Sequence, residues 1–128
     1  MTKEMLIKNA TKKGYLIARP GDVIDLLYPN STTRRGRVQK EMAHTLDTTD
    51  SKGVLIDTME NKDNQNFKVR KLTPKECWRL MGIRDEDFEK ASKVVSNSQL
   101  YKQAGNAIVV NVLEGIFKNL FREKRSEE

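Results

Sequence analysis

Between Tyr15 and Leu72 the apolar residues come in short β-prone runs: "YLIA" (15–18), "VIDLLY" (23–28), "RGRV" (35–38), "HTLD" (44–47), "GVLID" (53–57) and "FKVRKL" (67–72). The stretches "RPGD", "YPNSTT", "TTDSKG" and "ENKDNQN" separate them, each rich in turn-forming residues. Short runs punctuated in this way predict a small, mostly antiparallel sheet. Residues 1–14 are polar and basic and are expected to form a flexible N-terminus.

After Leu72 the period changes to that of helices. In "TPKECWRLMG" Thr73 is the expected N-cap, Pro74 takes the first helical position, Glu76 completes a capping box, and Gly82 can end the helix in a left-handed conformation. Cys77, Leu80 and Met81 fall on one apolar stripe. "DEDFEKA" reads as a short polar helix or turn anchored by Phe88, and Ser98 as the cap of a further helix, "QLYKQA". A long last helix is expected from about Asn106 or Ala107 to Phe121, with Val109, Val112, Leu113, Ile116, Phe117 and Leu120 on its apolar side. It should fold back over the domain and leave part of that side accessible to a partner or a second copy. The fold class is thus α+β: a sheet, then short helices, then a long C-terminal helix. A single domain over 15–121 and a charged tail over 122–128 are expected.

Composition narrows the chemistry. With 128 residues the chain suits one modest domain. No apolar run approaches the roughly 18–20 residues of a membrane span, and "MTKEMLIKNATKKG" lacks the features of a signal peptide. The expectation is a cytoplasmic location without membrane contact. Cys77 is the sole cysteine and His44 the sole histidine, so no cluster of soft metal ligands is available. Cys77 reads as a small core residue, and His44 as packed or surface-exposed. The formal net charge is +6, and the excess lies in residues 1–40, with nine Lys or Arg against three Asp or Glu. A basic first third attracts phosphate backbones, although a solvated charged face would look the same.

Two blocks, "VRKLTPKECWRLMGI" (69–83) and "SQLYKQAGNAIVVNVLEGIF" (98–117), resemble in order and spacing the ninth and tenth conserved motifs of DNA (cytosine-5) methyltransferases. "GRVQKEMAHTLDTT" (36–49) is similar to the end of the target-recognition region of bacterial and phage members. The resemblance implies a fold like that family's small domain. The family's glycine-rich cofactor loop, Pro-Cys nucleophile loop, Glu-Asn-Val segment and assisting arginine have no match here. Cys77, in a capped helix beside Trp78, is not that nucleophile. The chain therefore resembles the C-terminal part of such an enzyme, a split subunit, a truncated product or an excised domain, with no catalytic residue of its own.

In enzymes of this type the stretch matching "QAGNAIVV" returns the chain to the large lobe and closes one side of the S-adenosylmethionine pocket. The resemblance thereby assigns Gln103, Gly105, Asn106 and Ala107 to the cofactor, bound only with a catalytic lobe. From the residues alone, Gly105 can make a sharp turn and Asn106 can cap the next helix, whether or not a ligand is there. Arg34, Arg35 and Arg37 of "TTRRGRV" are candidates for DNA phosphates or base edges, because guanidinium donors match both. Thr45 and Thr48 are candidates for the DNA backbone, and Arg70 and Lys71 for phosphate or interdomain contacts. The implied partners are double-stranded DNA and a catalytic methyltransferase subunit or lobe, with a homodimer as a further possibility. A non-enzymatic DNA-binding or regulatory protein and a protein-interaction module are the alternative functions.

Overall fold

A computed structural model of the chain describes residues 4–58 and 66–125, with side chains described over 4–58 and 67–122. Six strands precede four helices: β1 (Met5–Lys8), β2 (Tyr15–Ala18), β3 (Val23–Asp25), β4 (Val38–Gln39), β5 (Lys52–Thr58), β6 (Asn66–Lys71), α1 (Pro74–Leu80), α2 (Asp85–Ser92), α3 (Asn97–Asn106) and α4 (Val110–Arg125). Among the described residues the class is α+β with antiparallel sheets. The chain divides into two compact units rather than the single one expected over 15–121. One comprises residues 1–46 and 50–72, the other 47–49 and 73–128.

The first unit holds the strands. β1 pairs with β2 from Met5↔Ala18 to Lys8↔Tyr15, so part of the stretch read as a flexible terminus is a strand. Alternating exposure along "MLIK" explains the misreading: only every second residue faces inward, and the basic neighbours mask the period of two. The second sheet has the order β4-β3-β5-β6. Ala18 of β2, Ile24 of β3 and Leu55 of β5 form the buried centre of the unit, with Met5, Ile7, Leu26, Val38, Phe67 and Val69 packed around them. "HTLD" forms no strand. The Asp47 carboxylate accepts from the Thr49 N–H at 2.9 Å and its hydroxyl at 2.6 Å, which curls the chain into an Asx turn in place of a ladder. The turn expected at "ENKDNQN" lies largely outside the described residues.

One charge pairing is internal. The register sets Asp25 opposite Lys52, whose buried ammonium lies 3.5 Å from Asp25 Oδ1 and donates to Ser51 Oγ at 2.8 Å. Arg34 reaches Asp25 Oδ2 at 2.7 Å, so two cations meet one carboxylate.

The second unit holds the helices, and its start follows the sequence closely. Thr73 caps α1, Glu76 closes the capping box, Pro74 is at the first position and Gly82 has φ +74°. Cys77, Trp78 and Met81 are buried, whereas Leu80 is exposed. Trp78 organises the unit: its Nε1 donates to the Leu100 carbonyl at 2.9 Å, and its ring meets Phe88 edge-on with centroids 5.4 Å apart. Leu100 and Ala104 bring the inner face of α3 to the same core.

The last two helices differ from expectation at their ends. Ser96 rather than Ser98 caps α3, accepting from the Gln99 N–H at 3.4 Å. α3 continues through Gly105 and Asn106, so neither makes the turn nor caps α4; the break falls at Ala107, whose backbone is extended at φ −75°, ψ 158°. A tertiary hydrogen bond fixes the start of α4, with the Val110 N–H donating to the Met81 carbonyl at 3.0 Å. α4 runs beyond Phe121 to Arg125, which takes in part of the expected tail; residues 126–128 lie outside the described residues. Val109 and Leu113 are half-buried, and the rest of its apolar side is accessible, more widely than the partial exposure expected. Val112 (56%), Ile116 (55%), Phe117 (50%), Leu120 (51%) and Phe121 (62%) are exposed, because α1, α2 and α3 satisfy their core around Trp78 among themselves.

Candidate functional site

The candidate residues fall into two groups, one in each unit. In the strand unit the "RRGR" arginines part company. Arg37 is 4% exposed, and its guanidinium donates to the carbonyls of Pro29 and Asp25, both at 2.9 Å, and of Lys8 at 3.3 Å. It tethers three backbone segments and presents no face to a DNA phosphate, which corrects its assignment as a DNA-binding residue. The reason is geometric, since a planar fork with several donors suits converging carbonyls as well as phosphates. Arg34 is half-buried between the Asp25 carboxylate and the Tyr28 ring, 5.2 Å from the ring centroid. Arg35 is exposed, and its Nε donates to the Ala10 carbonyl at 3.0 Å.

Lys71 is exposed and pairs with Asp50 at 2.8 Å, while half-buried Arg70 donates to the Lys71 carbonyl at 3.2 Å. Thr45 and Thr48 are exposed on either side of the Leu46–Asp47 step. His44 Nε2 is 2.6 Å from the Gly36 carbonyl, an acceptor, so that nitrogen carries the proton in this contact. Among the described residues no group of His, Cys, Asp and Glu could hold a metal ion, and no helix is long and apolar enough to cross a membrane.

In the helical unit Gln103 and Asn106 stand three residues apart near the end of α3, and both are exposed. Gly105 faces another way. A Cβ there would collide with the carbonyl group of Asp47 and lie 2.7 Å from the Thr48 nitrogen. Asp47–Thr49 belongs to the helical unit for this reason: its Asx turn rests directly on the bare backbone of α3. Gly82 allows a separate close approach, at the start of α4, since a Cβ there would lie 2.8 Å from Asn111 Oδ1.

These positions allow a test of fit for a nucleoside cofactor. Gln103 and Asn106 offer amide donors and acceptors to a polar ligand, and the extended Ala107 offers backbone only. Gly105 is half-buried, and the position its side chain would take is filled by the Asp47 turn. The fit is therefore to one polar edge of a ligand, and the remaining contacts need another surface. The salt bridges around α2 are peripheral: Arg79 grips Asp85 through Nε at 2.9 Å and a terminal nitrogen at 2.6 Å, and Lys75 reaches Glu89 at 2.6 Å. The Arg79 hydrogen bond holds the Asp85 carboxyl below the usual carboxylate range, and Arg79 is raised in return.

Two residues central to this geometry escape a reading by hydrophobic pattern. Tyr28 sits inside an apolar run but has φ +52° and is 65% exposed. Asp47 ends the β-prone run "HTLD", although Asp followed by Thr two residues later is a recognisable turn signal.

The chain is similar to known proteins of one kind. The family model of C-5 cytosine-specific DNA methylase matches residues 2–122. Orphan methyltransferase M.Rho11sI of Bacillus phage rho11s is 51% identical over 96 residues, 74% of this chain and 18% of that protein. Type II methyltransferase M2.ScrFI of Lactococcus lactis subsp. cremoris is 57% identical over 58 residues, 45% of this chain and 16% of that protein. The DNA-cytosine methyltransferase of Escherichia coli (strain K12) is 44% identical over 57 residues, 44% of this chain and 12% of that protein. The chain thus spans less than a quarter of the length of each of these relatives. No solved structure matches.

Proposed function

The chain belongs to the C-5 cytosine-specific DNA methylase family, matched over residues 2–122, and on that premise we propose that it is a DNA-recognition and cofactor-closing part of a DNA (cytosine-5) methyltransferase, working with a catalytic lobe. Its strand unit faces duplex DNA through the basic first third, with Arg35 as the phosphate-facing member of the "RRGR" group and Thr45 and Thr48 near the DNA backbone. Arg70 and Lys71 lie at the end of β6, immediately before the helical unit begins, and serve as interdomain or phosphate contacts. Gln103, Asn106 and the backbone of Ala107 supply one edge of the S-adenosylmethionine site. When bound, that cofactor supplies the transferable methyl group; the residues of this chain bind and orient, and none takes part in covalent chemistry.

The observation that carries the proposal is the uncovered side of α4. A 16-residue helix that leaves Val112, Ile116, Phe117, Leu120 and Phe121 in water is unfavourable at roughly 25 cal/mol per Å² of apolar surface. A catalytic lobe covers that side in the working enzyme. The neighbouring Gln103–Ala107 joint is then brought to the cofactor by the same docking.

The test separates docking from DNA binding. Ile116→Lys should abolish association with a catalytic lobe supplied from a phage relative, measured by sedimentation, while leaving the DNA affinity of the chain unchanged. Equal association of wild type and Ile116→Lys would remove α4 from the interface. Self-association of the wild type alone, lost in Ile116→Lys, would favour a homodimer and the reading as an interaction module.

A further inference from the structure

Tyr28 is the feature of the strand unit that neither the core nor the family motifs explain. Its φ of +52° is a conformation in which a bulky side chain is an outlier, and its ring is 65% exposed. Glycine or asparagine would occupy the position with less strain. The loop is nevertheless held firmly in place. The Ser31 N–H donates to the Tyr28 carbonyl at 3.0 Å, Ser31 Oγ accepts from the Arg34 N–H at 3.2 Å, and buried Arg37 clamps the Pro29 carbonyl. Arg34, anchored by Asp25, stands over the ring. The segment Tyr28–Ser31 lines a shallow open depression.

The loop that carries the ring lies next to a basic turn. The Ala10 N–H donates to the Arg34 carbonyl at 2.9 Å, and Arg35 Nε returns a bond to the Ala10 carbonyl. These two bonds fix the β1–β2 turn, with exposed Lys12 and Lys13, beside the loop that carries Tyr28. An exposed aromatic ring backed by a guanidinium, on a unit whose exposed Lys12 and Arg35 can meet phosphates, has the chemistry of a contact to a base edge in a groove of duplex DNA.

Resting on the DNA reading above, we propose that Tyr28 is a base-contacting residue of this chain, and that Arg34 and Arg37 act as the clamp that presents it. Arg37 fixes the loop, Arg34 backs the ring, and the ring itself meets the edge of a base in a groove of duplex DNA. Backbone strain at Tyr28 is retained because the side chain has a partner outside the fold.

The experiment uses the 128-residue chain, a fluorescein-labelled 30-bp duplex and four proteins: wild type, Tyr28→Phe, Tyr28→Ala and Tyr28→Gly. Tyr28→Phe should bind within about 2-fold of wild type. Tyr28→Ala and Tyr28→Gly should bind roughly 10-fold or more weakly, in line with the loss of one base-edge contact, with an unchanged dependence on salt because no phosphate contact is removed. Tyr28→Gly should melt no lower than wild type, since glycine adopts a positive φ without strain. Loss of binding without loss of stability is the result a purely structural tyrosine would not give. If wild type binds the duplex and Tyr28→Gly binds it equally well, Tyr28 is not a DNA contact and the loop serves another partner. If wild type binds no duplex at all, the DNA reading of the chain fails and this assignment fails with it.

Discussion

The carbonyl group of Asp47 lies where a side chain at Gly105 would be. This contact joins the segment after Thr45–Leu46 to the helix that bears Gln103 and Asn106, and it explains a glycine inside α3 without reference to a turn. Replacement by Ala ought to stabilise a helix interior by about 1 kcal/mol on propensity alone. Here the new methyl group meets backbone, which cannot move aside like a flexible side chain, so Gly105→Ala should instead destabilise the chain by about 1–3 kcal/mol.

Gly115 supplies the internal control. It lies within α4, and a Cβ there meets nothing within 4 Å. Gly115→Ala should raise stability by about 0.5–1 kcal/mol. Denaturant unfolding of both variants tests the pair, and equal signs would show that Gly105 is not under the Asp47 turn.

The division of labour among the arginines gives another pair. Arg37→Ala leaves the carbonyls of Lys8, Asp25 and Pro29 without their donor and should cost about 2–4 kcal/mol of stability. Arg35→Ala should leave the melting transition nearly unchanged and lower the slope of log affinity against log salt by about 0.9 for a lost phosphate contact on duplex DNA. Thermal melts combined with a salt titration separate the two, and a normal melt for Arg37→Ala would show that its guanidinium is not the tether.

Acid titration should reveal the Arg79–Asp85 pair. The Asp85 carboxyl is held below its ordinary value by the Arg79 hydrogen bond, so the stabilisation is present above the unfolded carboxylate value of about 3.9 and is lost as pH falls through the lower folded value. Asp85→Asn should therefore be less stable than wild type near neutral pH, and the gap should close in strong acid. The pair is exposed, so the effect should be small and weakened by salt. A gap that persists unchanged into strong acid would assign the loss to packing.

The sequence makes local signals plain and conceals contacts between distant segments. The Thr73–Pro74–Glu76 capping box, the Gly82 terminus and Phe88 of α2 are legible because each rests on neighbours in the chain. The ends of α3 and α4 are not. Gly105 looks like a helix breaker until the Asp47 turn is known to lie against it, and the start of α4 depends on the Met81 carbonyl. Arg37 misleads for the same reason: composition places it in a basic patch, whereas the acceptors that bury it come from three separate segments. β1 was hidden by its short length and its basic surroundings.

The central claim is that this chain supplies recognition and cofactor closure to a catalytic lobe and does no chemistry alone. A segment exchange tests it most directly: the 96 matched residues of the phage rho11s relative are replaced by those of this chain, and transfer of labelled methyl groups to DNA is measured. The expected result is transfer by the chimera and none by the 128-residue chain, with transfer by the chimera lost on Ile116→Lys. A folded chimera that transfers no methyl group, or transfer by the 128-residue chain alone that depends on Cys77, would contradict it.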